Sequence, residues 1–345
     1  MRVYLEIKNN AHIFEDFSLR RYLLNKGIIM TFYIHMGTPK TATTSLQHSF
    51  DISKDEIMKT GLLWLGGHPH AHAIASSLLG TTKSINSQEY HLKKRTIRFQ
   101  NNLAELIRSS NAQNFLFSSE YLYDFSHEEV GVFSKILKEI CPIDTDYRVI
   151  CYVRDPIGFA TSECQEGIKS GKFGLDEFYE NPWRRSQSSI IGSFRDVFGP
   201  DAVDVRYFNK NILKKGDIFS DFMDAISVDE NTFPLKKINK NFSLSYEGVQ
   251  VANALQTIRP KDKRHPRLRR KYKLALRNIA GAKFQLPIFV QKRILERSKL
   301  DMDQINEWYN LGINQTDLLP VDIQDYDEAK AMELAMAIDK KVQGI

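Results

Sequence analysis

Short apolar runs, rich in β-branched and aromatic residues, alternate with helical patterns through the first two thirds of the chain. The strand-like runs are Met30–His35, Asn114–Phe117, Tyr147–Val153 and Val203–Phe208. The helical patterns are Thr43–Phe50, Leu103–Ser109, Val130–Ile140 and Ile190–Val197. Such alternation is typical of parallel strands joined by crossover helices. The sequence therefore predicts an α/β fold of three layers, in which helices flank a central parallel β-sheet on both faces.

The two ends of the chain follow different patterns. From about residue 245 onward the sequence is helical, with breaks at Pro260, Pro266, Pro287 and Pro320. We expect residues 30–345 to form a single α/β domain with a helical C-terminal part. Residues 1–29 have weak periodicity, and an apolar run starts at Met30, which predicts an N-terminal extension and Met30 as the true initiator.

Composition excludes several classes of protein. The 345 residues are 42% hydrophobic and 26% charged, which is ordinary for a globular protein and excludes disorder or a disulfide scaffold. No apolar stretch approaches the ~18 residues that span a bilayer. Glu6, Lys8 and Glu15 interrupt any signal-peptide core. With only three cysteines, these features predict a cytoplasmic protein.

A threonine-rich loop between the first strand and the first helix is the most informative segment. It comprises Gly37, Thr38, Pro39, Lys40, Thr41, Ala42, Thr43 and Thr44. The N-terminus of a helix offers free N–H groups and a favourable dipole to an anion, and a lysine adds a positive charge. The alternative is a threonine-rich helix cap with a chance lysine. A nucleoside triphosphate loop is disfavoured, because the lysine comes only three residues after the glycine.

A second candidate anion site follows the Tyr147–Val153 run. Arg154 stands at the predicted carboxyl end of this strand, and Ser162 comes eight residues later on the next helix. Asp155 and Pro156 suit the start of that helix, which explains them without a ligand. An arginine at this edge of an α/β sheet is instead placed to bind phosphate.

These two segments resemble the nucleotide-binding motifs of sulfotransferases that use 3′-phosphoadenosine 5′-phosphosulfate (PAPS), in particular bacterial carbohydrate sulfotransferases with a P-loop-like fold. The resemblance covers roughly residues 32–170. It implies that the loop from Gly37 to Thr44 binds the 5′-phosphosulfate, and that Arg154 and Ser162 bind the 3′-phosphate. It also implies adenosine 3′,5′-bisphosphate (PAP) as product, no metal, and a hydroxyl of a carbohydrate or glycan as acceptor. Ala42 stands where the family has glycine, so we expect the backbone there to avoid positive φ.

Sulfuryl transfer requires a base to remove the proton of the acceptor, and the sequence offers two candidates. His72, in a segment that also contains His68 and His70, fits a family position after the first loop. Glu120 follows the Asn114–Phe117 run in a Ser-Ser-Glu element. We expect both side chains to face the acceptor, with Lys40 as the third catalytic residue. The histidines alone are also compatible with an exposed turn or, less well, with a metal site.

The net charge of +6 is concentrated in one segment. Nine Lys or Arg residues and one acid lie within Arg259–Lys273. This pattern predicts a solvated helix face, a contact with an acidic glycan, or a segment that closes over the donor. Tyr272 is the single aromatic residue there, which disfavours nucleic acid as the partner of this segment.

The sequence leaves two alternatives to a sulfotransferase. The main one is a non-catalytic protein that binds a nucleotide or an acidic glycan, and the other is a small-molecule kinase.

Overall fold

The computed structural model describes residues 30–38, 40–66, 101, 103–183, 186–238, 243–260, 268–313, 318 and 327–344. The predictions for residues 1–29, for Pro39, and for His68, His70 and His72 fall outside these residues.

Within the described residues, five parallel strands form a sheet in the order β2-β3-β1-β4-β5. The strands are β1 (Thr31–Met36), β2 (Leu62–Trp64), β3 (Asn114–Ser119), β4 (Asp146–Val153) and β5 (Val203–Tyr207). Strands β2 and β3, which follow β1 in the chain, lie on one side of it, and β4 and β5 lie on the other side. The predicted α/β class with a central parallel sheet is confirmed.

Helices connect and cover these strands. They are α1 (Thr43–Met58), α2 (His127–Ile140), α3 (Pro156–Ser170), α4 (Leu175–Glu180), α5 (Gln187–Phe198), α6 (Ile218–Ala225), α7 (Tyr246–Ile258), α8 (Arg269–Arg277), α9 (Ile288–Tyr309) and α10 (Glu328–Gln343). Residues 103–109 are also helical.

Side-chain alternation along the strands gives the sheet two buried faces. In β1, Phe32 and Ile34 point into a core formed with α2, α5 and α9. Tyr33 points into the opposite core, formed with α1 and α6. Burial on both faces explains why the central strands read as nearly continuous apolar runs.

A further apolar core lies among helices alone. Helix α3 contributes Ala160, Cys164 and Ile168 to it, and α4, α7, α8, α9 and α10 supply the other walls. The start of α3 is fixed as the sequence predicts. Pro156 is its first residue, and the Asp155 carboxylate accepts the Gly158 N–H at 2.5 Å. Helix α3 therefore leads directly from the end of β4 into the helical part.

In the described ranges, no helix has both the length and the apolar character needed to cross a membrane.

Candidate active site

Strands β1 and β4 are neighbours in the middle of the sheet, and both motifs singled out from the sequence follow their carboxyl ends. Met36, the last residue of β1, is in register with Cys151 of β4, and Arg154 follows β4 directly. The chain order reverses on the two sides of β1, which is where ligands bind in open α/β sheets. The Lys40 loop and Arg154 thus lie at the same edge.

Close packing at the end of β1 explains the glycine of the loop. The Gly37 N–H donates to the Ser119 carbonyl at 3.1 Å. A Cβ at Gly37 would lie 2.6 Å from Thr43 Cγ2 and 3.1 Å from Glu120 Cγ. Any larger residue would push Glu120 away from the loop.

The buried threonine hydroxyls shape the loop itself. Thr41 and Thr43 both donate to the Thr38 carbonyl, at 2.8 and 3.3 Å. The Thr38 hydroxyl lies 3.2 Å from Cys151 Sγ. The exposed Thr44 hydroxyl instead points to Glu120 Oε1, at 3.5 Å. Among the described residues no side chain caps α1, so the N–H groups of its first turn suit an anion.

The backbone at Ala42 is left-handed, with φ 63° and ψ 16°. The expectation that alanine would keep this position out of positive φ is wrong. Lys40 also has a positive φ of 69°. The Ala42 methyl is buried in the core that contains Leu46 and Phe50, and this burial offsets the ~1–2 kcal/mol that left-handed backbone costs a non-glycine residue. The loop therefore keeps a glycine-like geometry without the glycine.

Lys40 and Arg154 both reach helix α3. Lys40 Nζ lies 3.0 Å from Glu166 Oε2, and Arg154 Nη1 donates to Ser162 Oγ at 2.8 Å. Ser162 and Glu166 are four residues apart and so share one face of the helix, about 6 Å apart along its axis. The loop lysine and the strand-end arginine are thus brought onto a single surface.

Arg154 is a largely buried cation at this surface. Its guanidinium lies 3.7 Å from Asp155 Oδ2 and 6.0 Å from the centre of the Phe208 ring. Burial lowers the pKa of Arg154, Asp155 opposes this, and an arginine stays protonated at neutral pH. The predicted partner Ser162 is its direct hydrogen-bond partner, which orients the guanidinium before any ligand arrives.

Glu120 stands beside the anion loop at the end of β3. Part of its carboxylate is exposed, but the surrounding protein desolvates it enough to raise its pKa, while the Lys40 ammonium opposes the rise. A carboxylate with a raised pKa is a better proton acceptor near neutral pH. The other predicted base, His72, lies outside the described residues.

Two lysines and an acid at this site were not recognisable as site residues from the sequence motifs. Glu166 contacts Lys40, Lys169 of the same helix, and Lys273 of α8, the last at 3.3 Å. Burial by itself raises the pKa of Glu166, but the three ammonium groups outweigh it and lower this pKa to about 2. The spacing of Glu166 and Lys169 was visible as a helical pair. Lys273 lies in the basic segment that the sequence shows, but no local pattern indicates its contact with Glu166, which is 107 residues away.

Helix α8, which ends the basic segment, is anchored to the helical core. Tyr272 is 1% exposed and donates to Asp339 Oδ1 at 2.5 Å. Arg259 makes a two-pronged contact with the same carboxylate, at 2.6 and 2.9 Å. Arg259 and Tyr272 therefore have a structural role, whereas Lys273 reaches Glu166, the residue that also pairs with Lys40 of the anion loop. Residues 261–267 lie outside the described ranges.

Over the part of the chain that the structure describes, no group of three or more His, Cys, Asp or Glu side chains is placed to hold a metal ion.

Comparison with known proteins gives one structural likeness. No protein-family model matches the chain, and no curated protein matches it. Among solved structures, the chain is similar to a sulfotransferase from Alicyclobacillus acidocaldarius, at 12% sequence identity and a TM-score of 0.40. The alignment covers 81% of this chain and 95% of that one. A likeness at this level supports no conclusion about activity.

Proposed function

We propose that the chain is a sulfotransferase that moves a sulfuryl group from PAPS to a hydroxyl by in-line displacement. One observation carries the proposal. Lys40 and Arg154, from the ends of adjacent parallel strands, contact residues one turn apart on the same helix. A nucleotide with phosphate groups at both ends needs two such cationic positions, separated but facing one cleft.

Each part of the site has a role in this reaction. The N–H groups of the loop and of the first turn of α1 would hold the 5′-phosphosulfate, and Lys40 would stabilise the charge that develops on the leaving phosphate. Arg154, held by Ser162, would bind the 3′-phosphate through charge-assisted hydrogen bonds. Gly37 lets Thr43 and Glu120 pack against the start of the loop, because a side chain there would collide with both. The chemistry requires no metal.

Either Glu120 or His72 would accept the proton of the acceptor hydroxyl. Glu120 is supported by its contact with the loop through Thr44 and by the direction of its pKa shift. His72 is supported by the family resemblance alone. We also propose a carbohydrate or glycan acceptor, on that resemblance, and a cytoplasmic location, on the small number of cysteines.

Binding and turnover together test the proposal. We expect PAP to raise the melting temperature of the wild-type protein, by an amount that grows with ligand concentration. Labelled PAPS and a panel of glycans should give labelled product. Lys40→Ala and Arg154→Ala should each lose turnover, whereas Lys292→Ala, at an exposed site on α9, should behave as wild type.

Two results would contradict the sulfotransferase assignment, and a third would contradict the role given to Lys40. PAP binding without transfer to any acceptor would favour the non-catalytic binder. Magnesium-dependent binding of ATP would favour a kinase. Wild-type turnover in Lys40→Ala would remove the loop from the mechanism.

A further inference from the structure

Glu166 is surrounded by three lysines that come from three separate parts of the fold. Lys40 belongs to the loop after β1, Lys169 to the same helix as Glu166, and Lys273 to α8. Their ammonium groups contact the two carboxylate oxygens of Glu166, Lys40 and Lys169 at one and Lys273 at the other. A single carboxylate thus links the anion loop to the helical part.

The charges of this cluster do not balance. Three lysines and Glu166 leave an excess of two positive charges, and the nearby Glu120 carboxylate, which interacts with both Lys40 and Glu166, reduces this excess to one when it is ionised. Three ammonium groups around one carboxylate repel each other, and an anion between them reduces this repulsion. Glu166 provides part of that compensation, and its lowered pKa keeps it ionised at all ordinary pH values. The remaining positive excess favours an anionic ligand at this cluster.

A ligand bound at the anion loop would compete with Glu166 for the Lys40 ammonium group. Lys40 is the lysine of the anion loop, and in this structure its ammonium is paired with Glu166 at 3.0 Å. A phosphate or sulfate bound at the loop would face the Glu166 carboxylate, and two anions in contact repel each other. Binding is therefore favoured when Glu166 moves aside and releases the lysines to the ligand.

We propose that Lys169 and Lys273 join Lys40 as ligands for the phosphosulfate end of the nucleotide, and that Glu166 is an internal counter-ion which this ligand displaces. The identity of the nucleotide rests on the proposed function, whereas the lysine cluster needs only a polyanionic ligand. In this proposal helix α8 contributes a residue to the binding site. Its buried Tyr272 anchors the helix, and the next residue, Lys273, reaches the ligand.

Calorimetric titration with two probes, PAP and inorganic pyrophosphate, tests the proposal. Lys273→Met keeps the apolar stem and removes the charge, and we expect it to weaken PAP binding about tenfold, the loss of one charge-assisted contact. Lys169→Met should weaken it similarly. Lys271→Met is the matched control, because Lys271 is exposed on the same helix, and it should bind as wild type.

Glu166→Gln distinguishes a displaced counter-ion from a residue that only stabilises the fold. It should tighten the binding of both probes several-fold, since no carboxylate competes, while it lowers the melting temperature of the ligand-free protein. Glu296→Gln, at an exposed position on α9, should change neither quantity. Weaker binding in a folded Glu166→Gln protein would overturn the displacement, as would equal binding by Lys273→Met and Lys271→Met.

The two probes separate this proposal from the proposed function. If pyrophosphate binds with the expected pattern of variants and PAP does not bind, the lysine cluster stands and the nucleotide assignment fails. If PAP binds and Lys169→Met, Lys273→Met and Glu166→Gln leave its affinity unchanged, the nucleotide assignment stands and the cluster has no role in binding.

Discussion

His35 is a fully buried histidine in the middle strand of the sheet. Its Nδ1 lies 2.8 Å from Ser118 Oγ, and Gln47 Nε2 donates to the same hydroxyl at 3.1 Å. Its Nε2 has no partner among the described residues and is enclosed by apolar groups such as the Phe222 ring. Burial lowers the pKa of His35 to about 3, so the ring is neutral in the folded protein.

This burial predicts that stability falls in mild acid. The unfolded chain protonates this histidine near pH 6.5, whereas the folded protein resists protonation down to about pH 3. The contribution of His35 to the free energy of unfolding is therefore largest above pH 6.5, and its slope should rise from about 0.7 kcal/mol per pH unit at pH 6.5 to about 1.4 near pH 5. His35→Gln should remove most of this slope in urea denaturation measured across that range. His48→Gln, at a half-buried site on α1, should keep it, and an unchanged slope in His35→Gln would refute the prediction.

The raised pKa of Glu120 leads to a prediction about how turnover depends on pH. Because its pKa is raised and a base must be deprotonated, kcat should fall as the pH drops through a value above the ordinary 4.5 of a glutamate. Glu120→Gln should lower kcat by about 10²- to 10⁴-fold and abolish that acidic limb. Glu128→Gln, exposed on α2, serves as the control. An acidic limb that survives in Glu120→Gln would identify a different base.

At the scale of elements, the loop between β1 and α1 depends on left-handed backbone at two non-glycine positions, Lys40 and Ala42. The chain must turn sharply from the sheet edge into the helix within a few residues. The Ala42 methyl fits because it packs into the core beside α1. A branched side chain has no such compensation, because left-handed backbone is a genuine outlier for it.

Two substitutions at Ala42 should therefore differ in effect. Ala42→Gly removes the left-handed strain and loses one buried methyl, so we expect a change in unfolding free energy of no more than about 1 kcal/mol. Ala42→Val should destabilise the protein by about 2 kcal/mol or more, because the branched residue fits neither the backbone nor the space. Thermal or urea denaturation measures both. Comparable losses from the two variants would show that the backbone geometry is not the constraint.

The elements of the sheet were largely predictable and the charge cluster was not. The sequence runs for β1, β3 and β4 matched the strands because burial on both faces makes them largely continuous and apolar, whereas the run for β5 alternates buried and half-buried residues. Strand β2 was missed, since Leu62–Trp64 is too short to show any period. Arg154 and Ser162 were found together because their spacing is local. Lys273 meets Glu166 only through the packing of α8 on α3, which no local pattern encodes.

At the scale of the whole molecule, helix α3 belongs to two cores. Phe159 packs in the core under the sheet, whereas Ala160, Cys164 and Ile168 pack in the helical core. The same helix presents Ser162 and Glu166 to the candidate site. The site therefore lies where the two cores meet. Its geometry depends on how α3 packs between them.

A substitution at Gly167, next to Glu166, should change how α3 packs between the two cores. A Cβ built there would overlap the ring of Phe173, which is itself 3% exposed. Gly167→Ala would raise the helix propensity of α3 by about 1 kcal/mol, but the overpacking should cost more, about 1–3 kcal/mol. We expect a net loss of stability together with weaker PAP binding, because the shift of α3 moves Glu166 and Ser162.

Gly131→Ala is the matched control for this substitution. Gly131 lies inside α2, and a Cβ there would meet no atom within 4 Å. The helix-propensity gain is then unopposed, so this variant should be more stable by about 0.5–1 kcal/mol and bind PAP as wild type. Denaturation and calorimetry on the pair isolate the contact of α3 with Phe173. A Gly167→Ala protein as stable as Gly131→Ala would mean that Phe173 moves aside at little cost and that α3 tolerates the change.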